Sequence, residues 1–281
     1  MNAAAATLSA PRTLTANEVA QWREEGYVAI PDFFDHAQVV ALQAEVRVLQ
    51  EAGKLRNVAT IGDGKTASKE AFNLQICPAG PVSRLIRALP YDPRIIATVR
   101  ALLGDTVLWY LDQIFLKPAK HGAGTGWHTD NAYFKSPVVT EGTGMWIAIN
   151  DATKANGTMR IVPRSHLRAL EDHHVKDPSS DHHITCAHLI DERDAIHIEL
   201  PAGGVLFFNY GTAHATGGNQ TDRDRAALAY HFMRAEVDNP YYKNAYDNTR
   251  LHLTGAWADG GKAYWQEDLT AAFAEEVAKG S

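Results

Sequence analysis

Val107-Leu108-Trp109-Tyr110-Leu111-Asp112-Gln113-Ile114-Phe115-Leu116 is the first of a series of short apolar and aromatic runs, and it marks a change in the texture of the chain. Comparable runs follow at 145–150, 159–162, 195–200, 205–208 and 227–233. Clusters of Gly, Pro, Asn and Asp separate them, the pattern of an all-β sandwich or barrel. Upstream of Val107 the periodicity is helical. Thr15 and Glu18 form a T-x-x-E capping box for a short helix ending near Gly26. Asp35 is placed to cap a second helix, with Val39, Val40, Leu42, Val46 and Leu49 as its apolar stripe and Gly53 as its stop. A short strand is expected at 27–30 and further helices at 82–89 and 93–103. Helices first and strands afterwards predict a mainly β fold with flanking helices, not a βαβ repeat.

The 281 residues suit a single domain, with 1–12 expected to be disordered, 13–106 a helical support layer, 107–234 the β core and 235–281 a C-terminal extension. Apolar residues make up 45% and charged residues 21%, close to the globular average. The net charge of −6, with Lys and Arg dispersed, argues against a nucleic-acid partner. No window holds 18 apolar residues in a row, so no membrane span is expected. The N-terminus has no basic and apolar leader pattern, and the two cysteines, Cys77 and Cys186, stand far apart. A reducing cytoplasm is the expected setting.

The chemistry concentrates in Gly126-Trp127-His128-Thr129-Asp130. Residues two apart on extended chain point the same way, so His128 and Asp130 can bind one ion together. His214, after the strand-like 205–208 run, is the best third ligand. Two imidazoles and a carboxylate make the facial triad of non-haem iron(II) oxygenases, which leaves positions open for a chelating oxo-acid and for dioxygen. Arg225 stands eleven residues after His214, a spacing that allows a turn and a return along the neighbouring strand. Its planar fork suits a carboxylate. Arg225, Ala227, Ala229 and His231 would share one face of that strand, and Leu228, Tyr230 and Phe232 the other.

With His128-x-Asp130, His214 and Arg225, the chain resembles the phytanoyl-CoA dioxygenase family. The resemblance extends to Gly26-Tyr27-Val28 with Pro31-Asp32-Phe33-Phe34, to Trp146-Ile147-Ala148-Ile149, and to Asn156-Gly157 with Pro163-Arg164-Ser165-His166, where Arg164 replaces a usual Gly. That departure is expected to change the local turn. The resemblance implies a double-stranded β-helix (a cupin-like jelly roll), iron(II), 2-oxoglutarate and dioxygen. It implies His128, Asp130 and His214 as metal ligands and Arg225 as the clamp on the distal carboxylate of 2-oxoglutarate. Thr216, Trp146 and Gln113 match further positions around the co-substrate, with Lys117 as another candidate there. A carboxylate at Asp130 favours hydroxylation, or oxidative cyclisation, over halogenation.

The substrate is expected to be a small molecule of secondary metabolism. Tyr133 and Phe134, directly after H-x-D, are candidates for its contact surface, and Asn131, Asn156 and Arg160 for polar contacts. The histidines at 173, 174, 182, 183 and 188 lie in a long polar stretch, 163–194. Loops of that length are lids or disordered segments, so a mobile lid is expected there in preference to a second metal site. Residues 267–279 read as an amphipathic helix that packs on the domain. Two other readings compete. A cupin-like isomerase or lyase would use the metal without 2-oxoglutarate, and would not need Arg225. A metal-bearing sensor without turnover would have an obstructed pocket or a missing ligand.

Overall fold

The computed structural model describes residues 14–237, 239–240 and 242–279. The expectation for residues 1–12 lies outside them. Helix α1 (Ala16–Glu25) starts at the expected capping box, with Thr15 Oγ1 accepting from Glu18 N–H and Glu18 accepting from Thr15 N–H. It stops at Gly26, whose φ of +89° and close approach to Thr212 Oγ1, 2.5 Å from where a Cβ would sit, leave room only for glycine. Strand β1 (Tyr27–Ile30) follows at once, then α2 (His36–Glu51), capped by Asp35. The α2 stripe buries Val39, Leu42, Val46 and Leu49, but Val40 faces solvent. The helix expected at 82–89 is shortened to α3 (Arg84–Ala88), between a 3-10 turn at Gly80–Val82 that holds Pro81 and a second at Leu89–Tyr91 that holds Pro90. α4 (Pro93–Leu103) comes where expected, with Asp92 accepting from Arg94 N–H at its start.

The β part is a jelly roll of antiparallel strands. β2 (Arg56–Asn57), β3 (Leu74–Ile76), β4 (Val107–Lys117), β5 (Thr125–His128), β6 (Gly142–Ala148), β7 (Met159–Ile161), β8 (Val175–Lys176), β9 (Ile184–Thr185), β10 (Ile196–Ile198), β11 (Val205–Asn209), β12 (His214–Thr216), β13 (Arg225–Arg234) and β14 (Leu251–His252) follow in order. The large sheet runs β1-β11-β6-β13-β4-β3-β2, with β14 also paired to β4. The small sheet runs β10-β7-β12-β5.

The centre of the large sheet sorts its side chains by alternation. Ile114, Leu116, Leu228, Tyr230 and Phe232 join the core against the helices. Gln113, Lys117, Arg225, Ala229 and His231 face the cavity between the sheets. The β13–β4 register pairs Arg225 with Lys117, Ala229 with Gln113 and His231 with Leu111, and then slips, so that Phe232 meets Trp109. That bulge gives β4 one extra residue, Tyr110, which packs with Phe134 and Tyr210. Asp112 points to the outer side and is fully buried. It accepts hydrogen bonds from Gly80 N–H and the Tyr246 hydroxyl. Burial pushes its carboxyl up to about 6, and those two bonds hold it back from rising further.

Two regions differ from expectation. The 163–194 stretch is folded throughout: 3-10 turns alternate with a β8–β9 hairpin, and the hairpin is tied to β5 by Cys186 N–H on Trp127 O at 2.7 Å. The polar composition is used in side-chain-to-backbone bonds, such as Asp177 accepting from Ser179 N–H. Near the C-terminus, α6 (Lys262–Trp265) precedes α7 (Ala272–Lys279), which starts later than the 267–279 pattern suggests. Leu269 is buried in the turn before it, and Phe273 and Val277 pack on the core as expected.

Candidate active site

β5 and β12 are neighbours in the small sheet, and their register sets His128 directly opposite His214. Asp130 lies just past the end of β5, where the chain turns into α5 (Asn131–Phe134). The three side chains converge, with their ligand atoms all within 4.8 Å of one another. His214 Nε2 is 3.6 Å, and His128 Nε2 4.0 Å, from the same oxygen of Asp130, Oδ1.

The tautomers are fixed by the backbone. His128 Nδ1 lies 2.8 Å from Gly126 O, and His214 Nδ1 lies 2.9 Å from Thr212 O. A carbonyl can only accept, so Nδ1 carries the proton in both rings and each Nε2 presents its lone pair to the point of convergence. Burial lowers the pKa of both imidazoles, that of His214 to about 4 with help from neighbouring His128. Both are therefore neutral at pH 7, as metal ligation requires. Burial alone would raise Asp130, but His231 and His214 outweigh it and hold the carboxyl well below the usual range. His231 Nδ1 lies 3.3 Å from Asp130 Oδ2. The donor set thus fits a divalent transition metal, and no other such group is found among the described residues.

The triad opens into a cavity of about 210 Å³ between the two sheets. At its other end Arg225 is almost fully buried. Its Nη2 donates to Gly157 O at 2.7 Å, and its guanidinium lies 5.6 Å from the centre of the Trp146 ring. Gly157 has φ +80°, and a Cβ there would collide with the Gly217 carbonyl, so the turn that buttresses Arg225 requires glycine. Burial pulls the guanidinium down to about 9, still charged at pH 7. Beside it, burial and the Arg225 charge lower Lys117 strongly. Lys117 Nζ donates to the carbonyls of Ala123 and Gly217. Among the described lining residues Asp130 is the only carboxylate, so the buried Arg225 guanidinium and the Lys117 amine beside it face the cavity without a protein counter-ion. A carboxylate ligand would complete them.

Thr216, Trp146, Gln113 and Lys117 all line the cavity, and so do Tyr133 and Phe134. The Thr216 hydroxyl accepts from Thr125 N–H at 3.1 Å, and Gln113 Nε2 donates to Cys77 Sγ at 3.2 Å. Three expected substrate contacts are not in the lining. Asn131 is turned into its own loop, bonding Ser136 through both ends of its amide. Asn156 caps a turn, accepting from Thr153 N–H and donating to Asp151 O. Arg160 alternates with Met159 and Ile161 on β7 and so points outward, pairing with Glu192 and lying over the Trp127 ring. Its neighbour Met159 takes the inward position.

Asn73, Thr125, His182 and His183 line the cavity without having been singled out for it. His183 comes from the folded 163–194 stretch. Its ring is parallel to that of His128, with 8° between planes and 6.5 Å between centroids. Burial, with His182 and His128 nearby, lowers it to about 3, so it is neutral. Thr125 shares β5 with His128, whereas Asn73, His182 and His183 are brought in from segments far away in sequence.

The sequence model of the phytanoyl-CoA dioxygenase (PhyH) family matches residues 22–227, a span that contains the triad and Arg225. The chain belongs to the phytanoyl-CoA dioxygenase family. It is a 2-oxoglutarate-dependent non-haem iron dioxygenase, with iron(II) as metal and 2-oxoglutarate and dioxygen as co-substrates. Relatives include the ectoine dioxygenase of Bordetella parapertussis, 26% identical over 257 residues that cover 82% of this chain and 79% of that one. The dioxygenase lolE1 of Epichloe uncinata is 29% identical over 233 residues, covering 80% and 86%. Among solved structures, the non-haem α-ketoglutarate-dependent carbocyclase SnoK from nogalamycin biosynthesis superposes with a TM-score of 0.67 at 25% identity, covering 81% of this chain and 88% of that one. Family membership sets aside the isomerase and sensor readings. Arg164, at the position where the family motif carries Gly, adopts φ +62°. Such a φ costs a side chain more than it costs glycine.

Proposed function

We infer that this family member couples the oxidative decarboxylation of 2-oxoglutarate to hydroxylation or oxidative cyclisation at an unactivated C–H of a small molecule, as a tailoring enzyme of secondary metabolism. The observation that carries the reading is the polarity of one cavity: neutral imidazole lone pairs and a carboxylate at one end, the buried Arg225 cation with Lys117 at its side at the other. A dicarboxylate oxo-acid has the matching polarity, with a chelating head for the metal and a second carboxylate for Arg225. Iron(II) held by His128, Asp130 and His214 would supply dioxygen activation. The chain's own part is positional. Arg225 grips the distal carboxylate with Thr216 and Lys117 beside it, and Trp146 walls the co-substrate. Tyr133, Phe134 and His183 face the remaining space and present a substrate carbon to the metal while limiting water. Tyr133 accepts from Ile184 N–H at 3.0 Å, which leaves its own hydroxyl proton for a substrate oxygen. A cytoplasmic setting belongs to the same reading. It is supported by the two widely separated cysteines and by the lack, among the described residues, of a helix long and apolar enough to cross a membrane.

Anaerobic titration of the iron(II)-loaded protein with 2-oxoglutarate tests this directly. A weak visible metal-to-ligand charge-transfer band that saturates in the wild type and weakens in Arg225→Ala is the expected result. Protein shown to hold one iron but giving no band would refute it.

A further inference from the structure

The 163–194 stretch holds the metal-bearing segment at several successive points. Thr185 Oγ1 donates to Trp127 O at 2.8 Å, and Cys186 N–H donates to the same carbonyl. Further along, Ile184 N–H donates to the Tyr133 hydroxyl. Between these grips lies Thr129, the residue separating the two ligands of H-x-D. β12 pairing reaches His128 but not Thr129, so the sheet supplies no acceptor for Thr129 N–H. Its acceptor is a side chain from 45 residues away: His174 Nε2, at 3.0 Å.

The other side of that ring is equally committed. His174 Nδ1 lies 3.0 Å from Leu170 O, which can only accept. Nδ1 therefore carries the proton and Nε2 the lone pair, a single tautomer written by two backbone groups. Leu170 is not a loose anchor. It is buried in a cluster with Trp127, Ala213 and Ala215, which flank the metal ligands on β5 and β12. The imidazole is thus a rigid strut between a fixed point beneath the two ligand strands and the peptide that joins His128 to Asp130. Without it, a buried N–H would be orphaned at the place where the chain leaves the sheet, and that peptide could rotate to find water. Rotation there swings Asp130 relative to His128.

We propose that His174 is a positioning residue for the iron site, holding the peptide between His128 and Asp130 so that the carboxylate and the imidazole meet one ion. The proposal rests on the iron-dependent reading above. It gives one member of the histidine-rich stretch a role without making that stretch a second metal site. It also links the cavity wall to the ligands, because His174 directly precedes β8 and His183 directly precedes β9 of the same hairpin.

The two halves of the strut can be separated chemically. In His174→Gln, the side-chain oxygen reaches the Nε2 position and can accept from Thr129, but the bond to Leu170 is lost. In His174→Asn, the amide occupies the Nδ1 position and can donate to Leu170, but nothing reaches Thr129. The measurement is anaerobic titration of the metal-free proteins with cobalt(II), read by its d–d absorption, beside the thermal midpoint of each metal-free protein. His174→Asn is expected to bind cobalt(II) about 10-fold more weakly with an altered d–d envelope, while His174→Gln stays within about 3-fold of wild type, in line with the usual effect of groups that orient metal ligands. Equal cobalt affinity in the two variants, or affinity that simply follows the thermal midpoints, overturns the proposal. Wild type that fails to bind cobalt(II), or whose cobalt spectrum ignores added 2-oxoglutarate, would bring down the iron and 2-oxoglutarate reading itself and is distinguishable from the first result.

Discussion

The two ends of the cavity solve the problem of buried charge in opposite ways. At the metal end the protein supplies the partners itself: Asp130 is surrounded by the imidazoles of His128, His214 and His231, and backbone carbonyls set the ligand tautomers. At the clamp end it supplies one sign only. Arg225 and Lys117 sit side by side on paired strands and are met by carbonyl oxygens and, for Arg225, the Trp146 ring. A site complete in itself is preorganised. A site with unmatched charge invites an anionic ligand to complete it, the part proposed above for the distal carboxylate of 2-oxoglutarate.

The sharpest way to break this contrast is at the metal end. Removing one ligand in His214→Ala should lower iron(II) affinity at least about 100-fold, above the range for mere supporting groups. It should do so without raising stability, as dialysis against chelator and a thermal scan of the metal-free protein will report. At the clamp end the expectation is reversed. Arg225→Met should weaken 2-oxoglutarate about 100-fold, the usual scale for removing one partner of a desolvated charge pair. Iron(II) affinity should be unchanged and the ligand-free protein at least as stable as wild type. Loss of metal affinity in that variant would show that the two ends are not independent.

Asp112 extends the contrast to another buried carboxyl, held by hydrogen bonds from Tyr246 and from neighbouring backbone N–H groups. Its folded pKa, about 6, lies above its unfolded value, so the folded state binds the proton more tightly. The associated stability is full below the unfolded pKa and is lost as pH rises from about 4 through 6. Urea unfolding should therefore show wild type losing about 1–3 kcal/mol relative to Asp112→Asn across that window. A constant difference would mean that Tyr246 and Gly80 compensate the charge fully.

A fourth test asks whether binding completes the clamp. Burial and Arg225 hold Lys117 low, and an arriving carboxylate raises it again. Calorimetry in buffers of different ionisation enthalpy should find a fraction of a proton taken up with 2-oxoglutarate at pH 8, and none in Lys117→Met. The smallest effect lies away from both ends. Arg164→Gly relieves a left-handed φ and should raise stability by up to about 1 kcal/mol, with the gain offset by a more flexible unfolded chain and a lost ion pair to Glu25.

How much of this was legible in the sequence depended on whether alternation or long-range pairing decided the outcome. The face of β13 was readable from Arg225, Ala229 and His231 against Leu228, Tyr230 and Phe232, because a strand has period two and one side is apolar. The triad was readable because H-x-D confines two ligands to one side of one strand. Arg160 was misread although the same rule applies: Met159 and Ile161 take the inward positions, so a residue between them must point out. Asn131 and Asn156 were misread for a different reason. Short amides beside turns satisfy their own backbone first, and both do. His174 and His183 stood out only as members of a histidine-rich stretch, with no signal for their individual places. Their partners are tens of residues away, and composition favoured a mobile loop where the chain instead folds into a bracket.

The slipped register near His231 sets a dimension that side chains do not. On a regular strand Tyr110 would turn toward the helices and Trp109 toward the cavity; the extra residue exchanges them, so that Trp109 joins the helical core and Tyr110 backs Phe134 beside the metal. The reach of the cavity beyond the ligands is therefore written into backbone count, like a stop on a ruler. Lengthening that space calls for deleting one residue from β4, a change of grammar and not of vocabulary.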